Sequence, residues 1–239
     1  INLEREDDAL NAVSKNGQTY LVSSAKVTGK IFAKGEEASV KIFADEVFVD
    51  EQAIITSQGM NKGGAILLGG SFQGKDPNIA NASYTHVGPE VVLDAKAETS
   101  GDGGQVIVWS DGQACFQGTA DVRATGKGDG GLVEISGKKG FYFSGKTLRI
   151  AENGRDGTLL FDPDADVAIH QNHYYKGAFH NRRWVPTDNK SYIEIGTSFT
   201  TNSLGVAILK QLKEIQESKH LEIDWEKELK QQKINARDD

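Results

Sequence analysis

The chain has 239 residues but only one cysteine, four prolines and one methionine. With Cys115 alone, a disulfide within the chain and a metal site built only of cysteines are both excluded. Two readings of that scarcity stand side by side. One is a reducing compartment; the other is a chain exported unfolded, where disulfides would obstruct passage. No run of about 18 apolar residues occurs, so no membrane-spanning helix is expected, in line with a mean hydropathy of −0.45. Positive charge is not in excess either: 27 Lys and Arg stand against 34 Asp and Glu, a formal net charge of −7. The basic residues are scattered, which argues against a nucleic-acid partner. The opening INLEREDDAL has no basic start followed by an apolar stretch. It does not read as a signal peptide. The expectation is a protein that stays inside, or an interior piece of a longer precursor.

What is present is glycine, 27 residues of it, without the every-third spacing of collagen. Much of it recurs in one setting: NKGGAILLGG at 61–70, GDGGQVIVWSDG at 101–112, GDGGLVEISGK at 128–138 and GRDGTLLFDP at 154–163. The second glycines of these turns are Gly64, Gly104, Gly131 and Gly157. The last three are evenly spaced, and the first interval is longer by SFQGKDPNIANASYTHVGPE, 71–90, read as an inserted loop. A period of this size marks a solenoid or array.

The strands after the turns align. Their second and fourth residues are Ile66 and Leu68, Val106 and Val108, Val133 and Ile135, Leu159 and Phe161. All are apolar, whereas the third residue is Leu67, Ile107, Glu134 or Leu160. Side chains alternate across a strand, so one face is buried throughout and the other only in places. Two further short strands follow each turn strand, ACFQG and TADVRATG in one repeat, FYFSG and TLRIAENG in the next. Three short strands per repeat without an intervening helix predict an all-β fold, a right-handed parallel β-helix whose coils stack at ~4.8 Å. The glycines then serve corners that need positive φ or pass close to the coil beneath. An antiparallel sandwich is the rival; it does not require equivalent positions to repeat their burial. Weaker alternation, as in SVKIFADEVFVDEQAIITSQG, extends the repeat toward the N-terminus.

The ordered phrases GGAILLGGSFQGKDPNIANASYTHVGP, LDAKAETSGDGGQVIVWSDGQACFQGTADVRATGKGDGGLVEISGK and GRDGTLLFDPDADVAI resemble the filamentous-haemagglutinin type of exoprotein, exported by two-partner secretion. The resemblance covers roughly residues 60–170. It implies a β-helix shaft at a bacterial surface or in a secreted protein, in a family used for adhesion, haemagglutination, biofilm formation or toxin display. It also implies a surface glycan or protein as partner, on host or bacterium, and an outer-membrane transporter for the precursor. The family's N-terminal secretion domain and signal are not found in this sequence.

The repeat region is assigned to 1–170, and 171–239 to an aromatic and polar segment, an amphipathic helix and a charged tail. In the second region SYIEIG reads as a strand. Thr201, Asn202 and Ser203 offer helix caps, and Ile208, Leu209, Leu212 and Ile215 recur at helical spacing.

Parallel β-helices also include polysaccharide lyases and hydrolases, which need carboxylates gathered on one face. Asp94, Asp102, Asp111, Asp129 and Glu134 are the acids to weigh. Asp102 and Asp129 hold the same place in the glycine turn, where an aspartate bonds its own turn backbone. Asp162, Asp164 and Asp166 alternate like the start of a calcium loop, but Val167 stands where its glycine belongs and His173 where its glutamate belongs. His170, His173 and His180 form no zinc motif. Cys115 reads as a small packed residue rather than a nucleophile. No catalytic residue, metal site or cofactor is therefore assigned. The expectation is a non-enzymatic structural or adhesive module, with a polysaccharide-active enzyme or a degenerate fragment as alternatives. Trp109, Tyr84 and His86, with the loop at 71–90, are the expected surface contacts.

Overall fold

The computed structural model describes residues 3–4, 11–15, 18–22, 24–164, 166–171, 177–180, 183–186 and 190–195, with side chains over 24–164 and at Ile193. Five successive coils make a parallel β-helix. The first is Ser24–Val27, Lys30–Lys34 and Ser39–Ile42; the second is Glu46–Val49, Ile54–Gln58 and Ala65–Leu68. The third is Tyr84–Val87, Val92–Asp94 and Gln105–Ser110. The fourth is Gln113–Phe116, Thr119–Asp121 and Leu132–Gly137, and the fifth is Gly140–Phe143, Lys146–Leu148 and Thr158–Leu160. First strands pair with first strands, second with second and third with third, giving three faces. Every coil-to-coil pairing is parallel and in register, as in Val106 opposite Ile66 below and Val133 above.

Inward apolar residues at every second position explain why these short segments are strands. All eight apolar positions read from the turn strands lie in one continuous core. Face 1 adds Val47, Val49, Ala114, Phe116, Phe141 and Phe143, and face 2 adds Ile55, Leu93 and Ala120. Because equivalent residues stack, the core is a column of like against like. Phe116 lies parallel to Phe143 of the next coil with centroids 5.8 Å apart, and across the core Phe141 of face 1 lies parallel to Phe161, which follows the face 3 strand, at 4.9 Å. Each fully buried large side chain contributes ~1.5–3 kcal/mol.

The glycine corner shows which of its two uses applies. A Cβ on Gly104 would overlap the carbonyl oxygen of Gly64, one on Gly131 that of Gly104, and one on Gly157 that of Gly131. None of these has φ in the left-handed region. The requirement is close approach between coils, not unusual backbone conformation.

Four features depart from the expected plan. The inserted loop is shorter than 71–90, since Tyr84–Val87 is the first strand of the third coil. The segment after residue 171 holds more than SYIEIG: Gly177–His180 and Arg183–Pro186 pair as an antiparallel hairpin. The strand Lys190–Ile195 joins face 1 between Gly140–Phe143 and Asp166–Gln171, out of chain order. At the other end, Asn11–Lys15 and Gln18–Val22 form a second hairpin, and Leu3–Glu4 runs antiparallel to the first coil. The amphipathic helix expected around Ile208–Ile215 lies outside the described residues.

Candidate functional site

Among the described residues, two places on the outer side of face 3 gather polar side chains. The first is a groove of about 860 Å³ along the glycine corners, from Glu36 and Lys41 in the first coil to Thr158 in the fifth. Its floor is backbone, because glycine leaves no side chain to fill it. That backbone is already committed to the stack. The Gly64, Gly104 and Gly131 carbonyls accept from the N–H groups of Gln105, Leu132 and Thr158, each at 2.9 Å.

Asp102 and Asp129 line the groove wall, but neither bonds its own turn as expected. The Asp102 carboxylate accepts from the Asp129 backbone N–H of the next coil at 2.8 Å, and Asp129 accepts from the Arg155 N–H of the coil after, also at 2.8 Å. Hydrogen bonds from the Arg155 side chain, Nε at 2.9 Å among them, hold the Asp129 carboxyl below the usual carboxylate range. The two aspartates therefore clip coil to coil. Asp156, one place along, accepts from Ala151 N–H within its own corner. A second pair, Asp94 and Asp121, stands in register at the ends of the face 2 strands. Burial opposes ionisation of Asp121, and the Arg123 guanidinium at 2.7 Å outweighs it, so this carboxyl too is held low. Aspartates held ionised and bonded in this way are poor proton donors at neutral pH.

The second place lies beneath the strap formed by residues 69–83. The strap folds back across the outer side of face 3 through one tight turn, Phe72–Gly74. Under it, Leu67, Ile107 and Trp109 make a small apolar cluster separate from the core. Gly74 rests on the Trp109 indole so closely that a Cβ there would overlap it. Asp111 accepts from Trp109 Nε1 at 3.2 Å and from Asn81 Nδ2 at 3.0 Å, and pairs with Lys138 at 2.9 Å. Asn81 Nδ2 also donates to the Gly74 carbonyl.

Beside this cluster, Glu134 is fully buried. Its Oε2 accepts from the Gln73 backbone N–H at 3.0 Å, and Gln73 Nε2 donates to Asp162 Oδ2 at 2.9 Å. Burial pushes the Glu134 carboxyl up to about 7. The charge of Asp162 adds to the rise, while Gln73, Ser136 and Lys75 partly offset it. Among the described residues, this carboxylic acid beside an ionisable partner on the next coil is the arrangement with acid–base potential. The sequence shows Glu134 among the candidate acids but not its pairing with Gln73 and Asp162. The available signal was Glu134 itself, a charge at a position where its stacked neighbours are Ile107 and Leu160.

The expected contact residues are not at the surface. Trp109, Tyr84 and His86 are only 2, 3 and 4 % exposed. The strap covers Trp109. Tyr84 and His86 belong to face 1, on its outer side, where the register aligns Phe48, His86, Cys115 and Tyr142 in one column. Tyr84 packs beside Phe48 with ring centroids 5.7 Å apart. Cys115 is buried in that column, and its burial pushes the thiol well above its ordinary value. That environment suits packing and disfavours a thiolate nucleophile. Among the described residues no group of three or more His, Cys, Asp or Glu is placed to hold a metal ion. His173 lies outside the described residues, as do the side chains of Asp166, His170 and His180.

No protein-family model matches the chain, and no curated protein matches it.

Proposed function

We propose that this chain is a shaft segment of a haemagglutinin-like surface or secreted exoprotein, a structural and adhesive module rather than an enzyme. The observation that carries the reading is the unbroken coil-on-coil register through five coils, with stacked core columns, glycine close approaches and aspartate clips repeating at equivalent positions. Each repeat contacts only its neighbours, so stiffness accumulates along one axis. Such a rod holds a contact surface away from the cell. The groove along the glycine corners and the outward rim of the strap, with Phe72 43 % exposed, are the surfaces it offers a glycan or protein partner. Export of the precursor through an outer-membrane transporter follows from the resemblance of the glycine-turn phrases.

A polysaccharide-active enzyme is the second reading, favoured by one observation: Glu134 and Asp162 lie on neighbouring coils of one face. Gln73 bonds both of them, so the pair is occupied by the chain's own strap.

The test of the proposal is protease treatment of intact cells, followed by detection with an antibody to residues 71–170. Loss of signal from intact cells is expected. Full protection until lysis would contradict display at the surface.

A further inference from the structure

The strap is anchored at both ends, by Gly69 N–H to the Ile42 carbonyl and by Ser83 N–H to the Asp45 carbonyl, and carries strain at its middle. Gln73, which donates hydrogen bonds to Glu134 and Asp162, sits at φ 54°, in the left-handed region. A non-glycine residue there is strained and persists only when its surroundings enforce it. The enforcing partner is unusual. Glu134 is 0 % exposed, whereas Asp121 among the buried acids is 5 % exposed. Only one of its two oxygens is satisfied by the strap; Oε1 has no hydrogen-bond partner. A buried carboxylate oxygen left bare opposes ionisation.

The groups facing Glu134 come from every side. The strap brings Gln73 and Lys75, its own strand brings Ser136, and the turn after the fifth coil brings Asp162. Ile107 and Leu160 flank it in register and supply no charge. Of the two ionic groups, Asp162 disfavours the charged form and Lys75 favours it. Lys75 is exposed and already donates to Gln73 Oε1 at 2.7 Å.

We propose that the strap 69–83 is a proton-operated latch: it lies closed over Leu67, Ile107 and Trp109 while Glu134 is protonated, and ionisation of Glu134 loosens it and uncovers that apolar strip. The sign follows from burial. Under the closed strap Glu134 holds its proton up to about pH 7, whereas lifted into water it ionises near the ordinary 4.5. The closed form therefore binds the proton more tightly. Closure is favoured as pH falls through this window and weakened as pH rises through about 7.

Hydrogen exchange of the full chain, read by mass spectrometry on peptides covering 69–83 and corrected for the pH dependence of intrinsic exchange, tests the latch. Protection of the strap is expected to be about tenfold or more greater at pH 5.5 than at pH 8, with the core strand Leu132–Gly137 changing far less. Glu134→Gln keeps the shape and removes the charge, so its strap protection is expected to be flat across that range. Asp162→Asn leaves Glu134 in place and removes the neighbouring charge. It is expected to move the wild-type transition to lower pH. Equal strap protection at both pH values in the wild type would overturn the latch. So would a pH dependence that survives Glu134→Gln, or a transition that stays put in Asp162→Asn.

Discussion

Gly131→Ala puts a single methyl group where the coils touch. On the structure that Cβ would overlap the Gly104 carbonyl oxygen and lie 2.8 and 2.9 Å from the carbonyl carbons of Gly103 and Gly104. The obstacle is backbone, so no side chain is free to turn aside. Nor is the Gly104 carbonyl free to swing, because it accepts from Leu132 N–H at 2.9 Å, one of the bonds joining the third and fourth coils. Overpacking of this kind costs ~1–3 kcal/mol, and a weakened ladder bond adds ~0.5–1.5 kcal/mol. Against this, alanine stiffens the unfolded chain and returns ~0.4–1 kcal/mol. The net expectation is a loss of about 2–3 kcal/mol in urea unfolding followed by circular dichroism. Gly29→Ala is the internal control. A Cβ at Gly29 meets nothing within 4 Å, and its φ is ordinary, so only the unfolded-chain effect remains and stability is expected to hold or rise slightly. If Gly131→Ala came within ~0.5 kcal/mol of wild type, the scale of ordinary surface substitutions, the close-approach argument would be refuted. Equal destabilisation by both substitutions would refute it too.

Phe141→Ala removes a fully buried ring stacked on Phe161 and is expected to cost ~3–5 kcal/mol in the same assay. Glu134 gives overall stability a pH dependence of its own: its contribution is fully present below about pH 4.5 and is lost as pH rises through about 7. The loss is at most about 3 kcal/mol, and urea midpoints between pH 5 and 8 are expected to fall in the wild type and stay level in Glu134→Gln. Asp111, Asp121 and Asp129 are held below the ordinary carboxylate range, so they titrate beneath this window and do not mask it. Asp129→Ala removes the clip to the next coil and is expected to speed exchange at the Arg155 amide, read residue by residue by nuclear magnetic resonance; an unchanged rate would show that the clip does not hold that corner.

Much of the fold is legible because a solenoid writes its core more than once. The pairs Ile66 and Leu68 through Leu159 and Phe161 repeat one apolar pattern at one distance from a glycine, and all eight residues are inward. Contacts between coils are harder to read. The Asp102 and Asp129 carboxylates reach the following coil rather than their own turn, and only register between strands far apart in sequence brings those partners together. Trp109 follows the alternation outward, yet the strap returns across it. Tyr84 and His86 are outward yet buried; the Phe48 ring packs against both, and His86 stands in the column of Phe48, Cys115 and Tyr142. Glu134 looks like a tolerated surface charge until the strap is placed over it. The insertion of Lys190–Ile195 between two earlier strands of face 1 leaves no local trace at all.

The central claim, a stiff rod of stacked coils, is tested most directly by one distance. Lys30 and Lys146 are exposed and stand in the same column of face 2, linked through Ile54, Val92 and Thr119. Four coil steps separate them, ~19 Å at the spacing of hydrogen-bonded strands. Nitroxide labels on cysteines at these two positions, with buried Cys115 left unlabelled, report the separation by pulsed electron resonance. A single narrow distribution near 20 Å, broadened only by the label arms, is the predicted result. A distribution spread over tens of ångströms, or centred well beyond 30 Å, would contradict the stack and with it the rod that the proposed function needs.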